Sequence, residues 1–169
     1  MYKIGDMVIY GTTGVCKIAD ISKGKYGYDE NALYYVLHPV YEDCIIYAPV
    51  DGKVFMRPVI SEDEAERLID AIPEIEPEAY YNNRIQELSQ HYKAVIDTHD
   101  CGELTRLVMS LHEKKEAALR QNRKLGQVDE RFMRQAEELL HGELAAALGM
   151  EKDRIPEYIR SRLSSMEEQ

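Results

Sequence analysis

The chain has 169 residues and a formal net charge of −10 at pH 7, so it is long enough for one domain or two small ones. It contains no apolar stretch near the roughly 18 residues that a membrane span requires, and strand-like alternation begins at once, without a secretory signal. The three cysteines are isolated and odd in number, which is typical of a reducing compartment and argues against a disulfide framework. We therefore expect a cytoplasmic protein without a membrane segment.

Residues 1–60 have the two-residue alternation of β-strands. Glycine, asparagine and aspartate separate five strand candidates, which are DMVIY, VCKIADI, ALYYVLHPVY, CIIYAPV and KVFMRPVI. Five strands within so short a length predict a small barrel, because closure removes the exposed edges that an open sheet of this size would present.

A glycine pair, Gly11 and Gly14, lies between the first two predicted strands and could belong to a phosphate-binding loop. Such a loop leads from a strand into a helix, whereas the segment after Gly14 alternates as a strand does. No Walker lysine or correctly spaced third glycine follows the pair. The pair therefore predicts a tight turn in which Gly14 supplies a positive φ.

After residue 60 the apolar residues recur at helical spacing. Ser61 with Glu64 and Asp100 with Glu103 have the spacing of helix N-terminal caps, and Gly126 is the expected end of the third helix. The helical segments are SEDEAERLIDAIP, PEAYYNNRIQELSQHYKAVID, DCGELTRLVMSLHEKKEAALRQNRKLG, VDERFMRQAEELLHGELAAALGM and IPEYIRSRLSS.

This change of period predicts the fold class and the domains. We expect an α+β protein in which a small five-stranded Tudor-like β-barrel precedes an all-α helical domain. The β domain covers residues 1–60, the helical domain covers 61–165, and a polar tail covers 166–169.

The sequence lacks the spacings that catalytic and metal sites need. His112 begins HEKKE and has no second histidine at zinc-protease spacing, and no cysteine pair suits a structural zinc ion. No nucleophile-elbow serine is present either. We expect no enzymatic activity, no catalytic residue, no metal and no cofactor.

The basic residues are concentrated in one segment of an otherwise acidic chain. Residues 101–135 contain eight Lys and Arg against five Asp and Glu. Two antiparallel helices joined near Gly126 would place the cations around one end of a hairpin, where they could contact phosphates or simply solvate a helix end. Both interpretations stay open, and the residues concerned are Lys114, Lys115, Arg120, Arg123, Lys124, Arg131 and Arg134.

Several segments together resemble the CarD family of bacterial transcription regulators, in the same order and over almost the whole chain. They are YKIGDMVIYGTTGVCKI, YYVLHPV, IIYAPVD, MRPVI and RFMRQAEELLHGELAAALGM. The first module is also similar to the polymerase-interacting domain of the transcription-repair coupling factor. The resemblance implies a barrel that docks on the RNA polymerase β subunit and a helical module that contacts promoter DNA near the upstream edge of the transcription bubble.

The resemblance also implies candidate contact residues for the polymerase. The docking strand of the family matches CIIYAPV, so Ile46 and Tyr47 are candidates, with Lys23 and Lys25 in the preceding strand or loop. Some family members have an arginine where Tyr47 stands, and this chain departs from them at that position.

Members of the family that open promoters use a tryptophan as a wedge in the minor groove, and this chain has no tryptophan. The nearest counterparts are Tyr80 and Tyr81, in PEAYYNNRIQ. A tyrosine ring could stack at a distorted base step, although it is a smaller wedge. The alternative is that a tyrosine at the start of a helix packs between the two modules.

Three classes of function follow from these observations. The first is a polymerase-tethered transcription regulator that stabilises the open promoter through its helical module. The second is a barrel-type interaction module whose acidic helices contact protein and not DNA. An enzyme is the least favoured class. For the first class we expect a monomer that binds DNA weakly without the polymerase, because the chain as a whole repels a polyanion.

Overall fold

The computed structural model describes residues 1–24 and 31–167. The chain divides into two compact units, Met1–Ile60 and Ser61–Gln169. The five described strands lie in the first unit and the five α-helices in the second. The α+β class, with strands first and helices second, is therefore confirmed.

One antiparallel sheet makes up the first unit, with strand order β4-β3-β2-β1-β5. Among the described residues β4 and β5 are the two edges, so the expected barrel is not closed by hydrogen bonds. Both edge strands are short, and Pro58 in β5 has no N–H to donate. The strands are β1 Met7–Tyr10, β2 Gly14–Lys23, β3 Leu33–Pro39, β4 Ile46–Pro49 and β5 Met56–Pro58.

Alternating residues of the strands supply the core of the first unit. Val8 lies opposite Cys16 across β1 and β2, and Tyr35 lies opposite Ala48 across β3 and β4. Opposite residues on one face of a sheet pack against each other, and these four are buried together with Leu37. Burial raises the pKa of the Cys16 thiol to about 11, which makes that cysteine unreactive.

The glycine pair forms a turn between two strands. Gly11 and Gly14 have φ angles of 48° and 93°, and the Thr13 amide donates to the Tyr10 carbonyl at 3.0 Å. The chain continues into β2 and not into a helix, so the predicted turn is confirmed.

The second unit is helical. Short 3-10 turns at 72–74 and 152–154 follow α1 and precede α5. No described helix combines the length and apolar character that crossing a bilayer requires. The helices are α1 Glu62–Ala71, α2 Ile85–Ile96, α3 Cys101–Arg120, α4 Gln127–Leu148 and α5 Ile155–Glu167. Helix α5 therefore includes Met166 and Glu167, at the start of the expected polar tail.

The helix starts follow the local sequence. Ser61 and Glu64 form a full capping box on α1, and the Asp100 carboxylate accepts a hydrogen bond from the Glu103 amide at the start of α3. Each side chain satisfies an amide that the first turn of a helix leaves unpaired.

The expected end of α3 at Gly126 is wrong. Helix α3 stops at Arg120, and Asn122 adopts the left-handed conformation with φ 56°. The amides of Asn122 and Arg123 donate to the carbonyls of Leu119 and Ala118 at 3.0 and 2.8 Å, which is the hydrogen-bond pattern of a Schellman cap. Gly126 is instead the N-cap of α4.

Helices α3 and α4 pack along their apolar stripes. Each buries one face, and the buried residues of the two helices include Leu104, Leu107, Leu111, Phe132, Ala136, Leu140 and Leu144. The connection at 121–126 therefore lies at one end of this helix pair, between the last residues of α3 and the first residues of α4.

Candidate functional sites

The first candidate surface is strand β4, an edge of the sheet. Tyr47 is 40% exposed and lies opposite Val36 of β3. Its neighbour Ala48 is buried, and Ile46 is half-buried against the core. The alternation of a strand therefore directs Tyr47 outward and Ile46 inward, so the two candidates expected to act together have different surroundings.

The β3–β4 connection adds apolar surface beside the edge strand. Val40, Tyr41 and Ile45 are 43%, 38% and 53% exposed. Sequence reasoning missed them as surface residues, because their apolar character suggested strand interior. Exposed apolar residues that lie close together on a surface are typical of a protein-binding site.

The structure does not place the two lysines predicted as polymerase contacts, Lys23 and Lys25, on the edge strand β4. Lys23 is exposed at the end of β2, opposite Leu33, and strand β3 separates β2 from β4. Lys25 lies outside the described residues. The structure thus brings Ile46 and Tyr47 together on β4 and leaves Lys23 on another strand.

The second candidate surface is a groove at the α3–α4 connection. Arg123 and Lys124 are exposed in this connection. Together with Tyr81 they line the groove, which has a volume of about 230 Å³. The groove also borders the start of α4, whose first amides and dipole favour anions. An aromatic ring and two cations therefore share one concave surface.

The remaining predicted cations are on the outer faces of the two helices. Lys115 and Arg120 are exposed on α3, and Arg131 and Arg134 are exposed on α4. The Arg131 guanidinium carbon lies 4.9 Å from the Phe132 ring centroid. Arg134 pairs with Glu130 at 3.6 Å, a weak surface ion pair.

Lys114 differs from these six cations, because it is buried. Its side chain is 7% exposed, and Nζ lies 2.9 Å from Asp129 Oδ1. Nζ also donates to the Tyr92 hydroxyl at 3.3 Å, and that hydroxyl donates to Asp129. The predicted exposed position for Lys114 is therefore wrong, and its charge is balanced inside the helical unit.

This buried triad, Tyr92, Lys114 and Asp129, joins α2, α3 and α4. Burial and the Asp129 hydrogen bond both raise the pKa of the Tyr92 phenol, so it stays protonated and donates at neutral pH. Sequence reasoning missed Asp129 and Tyr92. Tyr92 fits an apolar stripe, and Asp129 at the third position of α4 suggests only a favourable dipole interaction.

The two candidate wedge tyrosines have different environments. Tyr80 is half-buried, and its ring stacks on His91 with centroids 3.8 Å apart. Tyr81 is 66% exposed, and its ring centroid lies 4.6 Å from Lys114 Nζ. Both residues precede α2. Only Tyr81 presents much ring surface to solvent.

The described residues include no group of three His, Cys, Asp or Glu side chains that could hold a metal ion. The pair formed by His112 and Glu137, with Nε2 and Oε1 2.7 Å apart, lies on the exposed side of α3 and α4. It is an ion pair when the imidazole is protonated.

Comparison with known proteins identifies the first unit. Residues 2–60 match the family model of the CarD-like/TRCF RID domain. The first unit therefore matches this family over nearly its whole length, and the resemblance predicted from the sequence is confirmed for it. Domains of this family interact with RNA polymerase in transcription-related proteins and are protein-binding, not catalytic. A search of curated proteins found no match to the chain.

Proposed function

We propose that this protein is a non-enzymatic transcription regulator of bacteria. In this proposal the β unit binds the RNA polymerase β subunit, and the helical unit contacts promoter DNA and stabilises the open complex. The observation that carries the proposal is the match of residues 2–60 to a polymerase-interacting domain. Site residues and the role of the helical unit are inferred from the chemistry of each surface.

For the polymerase contact, the proposal assigns β4 as the docking strand. An edge strand can pair with a strand of a partner, and outward side chains then give specificity. Tyr47 supplies a large, half-exposed ring of the kind enriched at interface hot spots. Ile46 supports the strand from the core side.

For the DNA contact, the proposal assigns the groove of Tyr81, Arg123 and Lys124. Cations hold phosphates without regard to sequence, and an exposed aromatic ring can stack on an unpaired base. Lys115, Arg120, Arg131 and Arg134 are available as further phosphate contacts on α3 and α4.

Tethering explains how an acidic chain can use such a contact. The net charge of −10 opposes binding to a polyanion, so isolated affinity for DNA is low. A β unit held on the polymerase presents the helical unit at an effective concentration on the order of millimolar. A weak contact is then occupied only at the polymerase.

A second candidate function follows from the charge of the segment that contains α1 and α2. Residues 61–100 contain eleven Asp and Glu against three Lys and Arg. A helical unit that bound a basic protein surface, and not DNA, would use this acidic segment.

Open-complex lifetime distinguishes the two functions. With polymerase and a promoter, the intact protein is expected to prolong that lifetime, and Tyr47→Glu and Tyr81→Ala are each expected to shorten it. Without polymerase, binding to duplex DNA is expected to be weak and to fall as salt rises. If Tyr81→Ala and reversal of Arg123 and Lys124 all leave the lifetime unchanged, the helical unit does not act on DNA.

A further inference from the structure

Lys114 has a third contact that the buried triad does not explain. An ammonium group has three N–H donors. Asp129 and the Tyr92 hydroxyl accept two of them, at 2.9 and 3.3 Å. The remaining side of the ammonium faces the ring of Tyr81, whose centroid lies 4.6 Å away. The Tyr81 ring therefore covers an ammonium group whose position is fixed by Asp129 and Tyr92.

We propose that Lys114 is a positioning residue that holds the Tyr81 ring at the edge of the groove. This inference rests on the proposed DNA contact and assigns the group that prepares it. One face of the ring lies on the ammonium, while 66% of the residue stays exposed. Tyr81, Arg123 and Lys124 line the same groove, in which a nucleotide would bring a base and a phosphate together.

The surroundings of Tyr81 make such a support necessary. The residue lies in an irregular segment before α2, and Ile85 nearby in the chain is 67% exposed. A ring with so few covering neighbours would sample several rotamers, and binding would have to restrict it to one. A cation–π contact is strongest when the cation is desolvated, and Lys114 is desolvated.

Direct phosphate binding by Lys114 is the alternative that the sequence suggested. The geometry disfavours it, because Asp129 already neutralises the ammonium and the side chain is 7% exposed. Lys115 is the matched comparison. It is the next residue on the same helix and is exposed, so any effect of Lys115 on DNA is a direct charge effect.

The test is a double-mutant cycle on open-complex lifetime, measured with polymerase and the full chain. Tyr81→Ala is expected to shorten the lifetime about fivefold or more, the loss of one stacked base. Lys114→Met is expected to shorten it on the order of threefold, and to have no further effect when Tyr81→Ala is already present. Lys115→Met is expected to have the same effect in both backgrounds, because it does not act through the ring.

Each other outcome overturns a defined part of the inference. Equal shortening by Lys114→Met with and without Tyr81→Ala would mean that the lysine acts independently of the ring. No shortening by a folded Lys114→Met protein, with Tyr81→Ala still effective, would reject the positioning role and leave the proposed function intact. If Tyr81→Ala itself has no effect, both the DNA contact of Tyr81 and the inference are wrong.

Two further measurements test the positioning role even if the Lys114→Met protein does not fold. Removing Lys114 alone leaves Asp129 buried without its cation, so the cycle is repeated with Tyr92→Phe/Lys114→Met/Asp129→Leu. Apolar replacement of a buried ion pair is often tolerated. In the unmodified protein, nuclear Overhauser contacts between the Lys114 methylenes and the Tyr81 ring protons are expected, and their absence would also reject the positioning role.

Discussion

Arg162 and Asp70, 92 residues apart in the chain, form a two-point ion pair between α5 and α1. The distances are 2.6 Å from Nε to Oδ1 and 2.9 Å from the second terminal nitrogen to Oδ2. Arg162 also pairs with Glu66 of α1, and the Tyr158 hydroxyl donates to the same Glu66 carboxylate at 2.8 Å. These contacts fasten the last described helix to the first helix of the unit.

This ion pair predicts a pH-dependent stability. The hydrogen bond from Arg162 lowers the pKa of Asp70. The ionised Asp70 carboxylate therefore stabilises the folded protein above the ordinary carboxyl pKa of about 3.9. This stabilisation is lost as the pH falls through the lower pKa that Asp70 has in the folded protein. Arg162→Met is expected to lower the unfolding midpoint at pH 7 and to cause a smaller change below about pH 4. Arg160→Met is the control, since Arg160 is exposed on the same helix.

A midpoint difference that stayed constant down to acid pH would assign the effect of Arg162→Met to poorer packing and not to charge. The measurement is thermal unfolding of both variants and the parent, followed by far-ultraviolet circular dichroism across the pH range. That signal reports mainly the helical unit.

The second prediction concerns Tyr47 and polymerase. Tyr47→Glu places a charge on the exposed side of the edge strand, and it is expected to weaken binding to the polymerase β subunit by about tenfold or more. Ile4→Glu is the control, because Ile4 is 61% exposed and belongs to the segment before β1, not to β4. Binding is measured by pull-down and by titration with purified polymerase.

Two results would argue against a β4 docking strand. One is a folded Tyr47→Glu protein that binds polymerase as the parent does. The other is an Ile4→Glu protein that loses binding to the same extent, which would indicate a general effect of added negative charge on the first unit.

The third prediction concerns the cations of the groove. Reversal of both in Arg123→Glu/Lys124→Glu is expected to weaken DNA binding for all sequences, since phosphates carry no sequence information. The slope of binding against salt is expected to flatten by about one unit for each phosphate that the variant no longer binds. Arg154→Glu/Arg160→Glu changes the net charge equally at exposed positions elsewhere.

Comparing the two double variants shows whether the cations of the groove, or the charge of the whole chain, determine DNA binding. If both change the salt slope equally, the whole-chain charge and not the groove determines DNA binding. An unchanged slope in both would mean that the cations only solvate the helix ends, the alternative that the sequence left open.

The sequence alone predicts a structural feature correctly where neighbouring residues in the chain determine that feature. The capping box of Ser61 and Glu64 needs four consecutive residues, and the turn at Gly14 needs a single φ angle. Both were predictable because few neighbours decide them. The strands were predictable from their alternation in part: Lys17 is exposed between the buried Cys16 and Ile18 of β2, whereas residues 34–37 of β3 are all buried.

One wrong prediction from the sequence, the position of Lys114, depended on a contact between distant residues, and another, the end of α3, depended on a local choice between two residues. Lys114 and Lys115 are adjacent and chemically identical, yet only Lys114 meets Asp129, which lies 15 residues later on α4. The α3 end was misplaced because glycine is the usual left-handed residue, whereas Asn122 takes that conformation here. Asparagine tolerates it better than most side chains, and the sequence alone did not rank it above Gly126.

The last prediction separates the two adjacent tyrosines. Tyr80 is held between His91, on which its ring stacks, and Asn82, whose amide donates to its hydroxyl at 3.1 Å. Tyr80→Ala is therefore expected to destabilise the helical unit by about 1–2 kcal/mol, because it removes the stack and the burial of the ring. Tyr81 is 66% exposed and keeps its ring contact with Lys114, so Tyr81→Ala is expected to cost less than Tyr80→Ala, on the order of 1 kcal/mol.

Tyr80→Ala is expected to have the larger effect on stability, but Tyr81→Ala is expected to have the larger effect on open-complex lifetime, measured with polymerase. Tyr81→Ala removes the ring that is available to a base and shortens the lifetime, whereas folded Tyr80→Ala has the smaller effect, because its ring is already occupied by His91. Tyr80→Phe keeps the stack and removes only the hydroxyl, which makes it the control for the hydrogen bond. A Tyr80→Ala protein that stays folded and shortens the lifetime more than Tyr81→Ala would mean that Tyr80 leaves His91 to contact DNA, and the assignment of the wedge to Tyr81 would then be wrong.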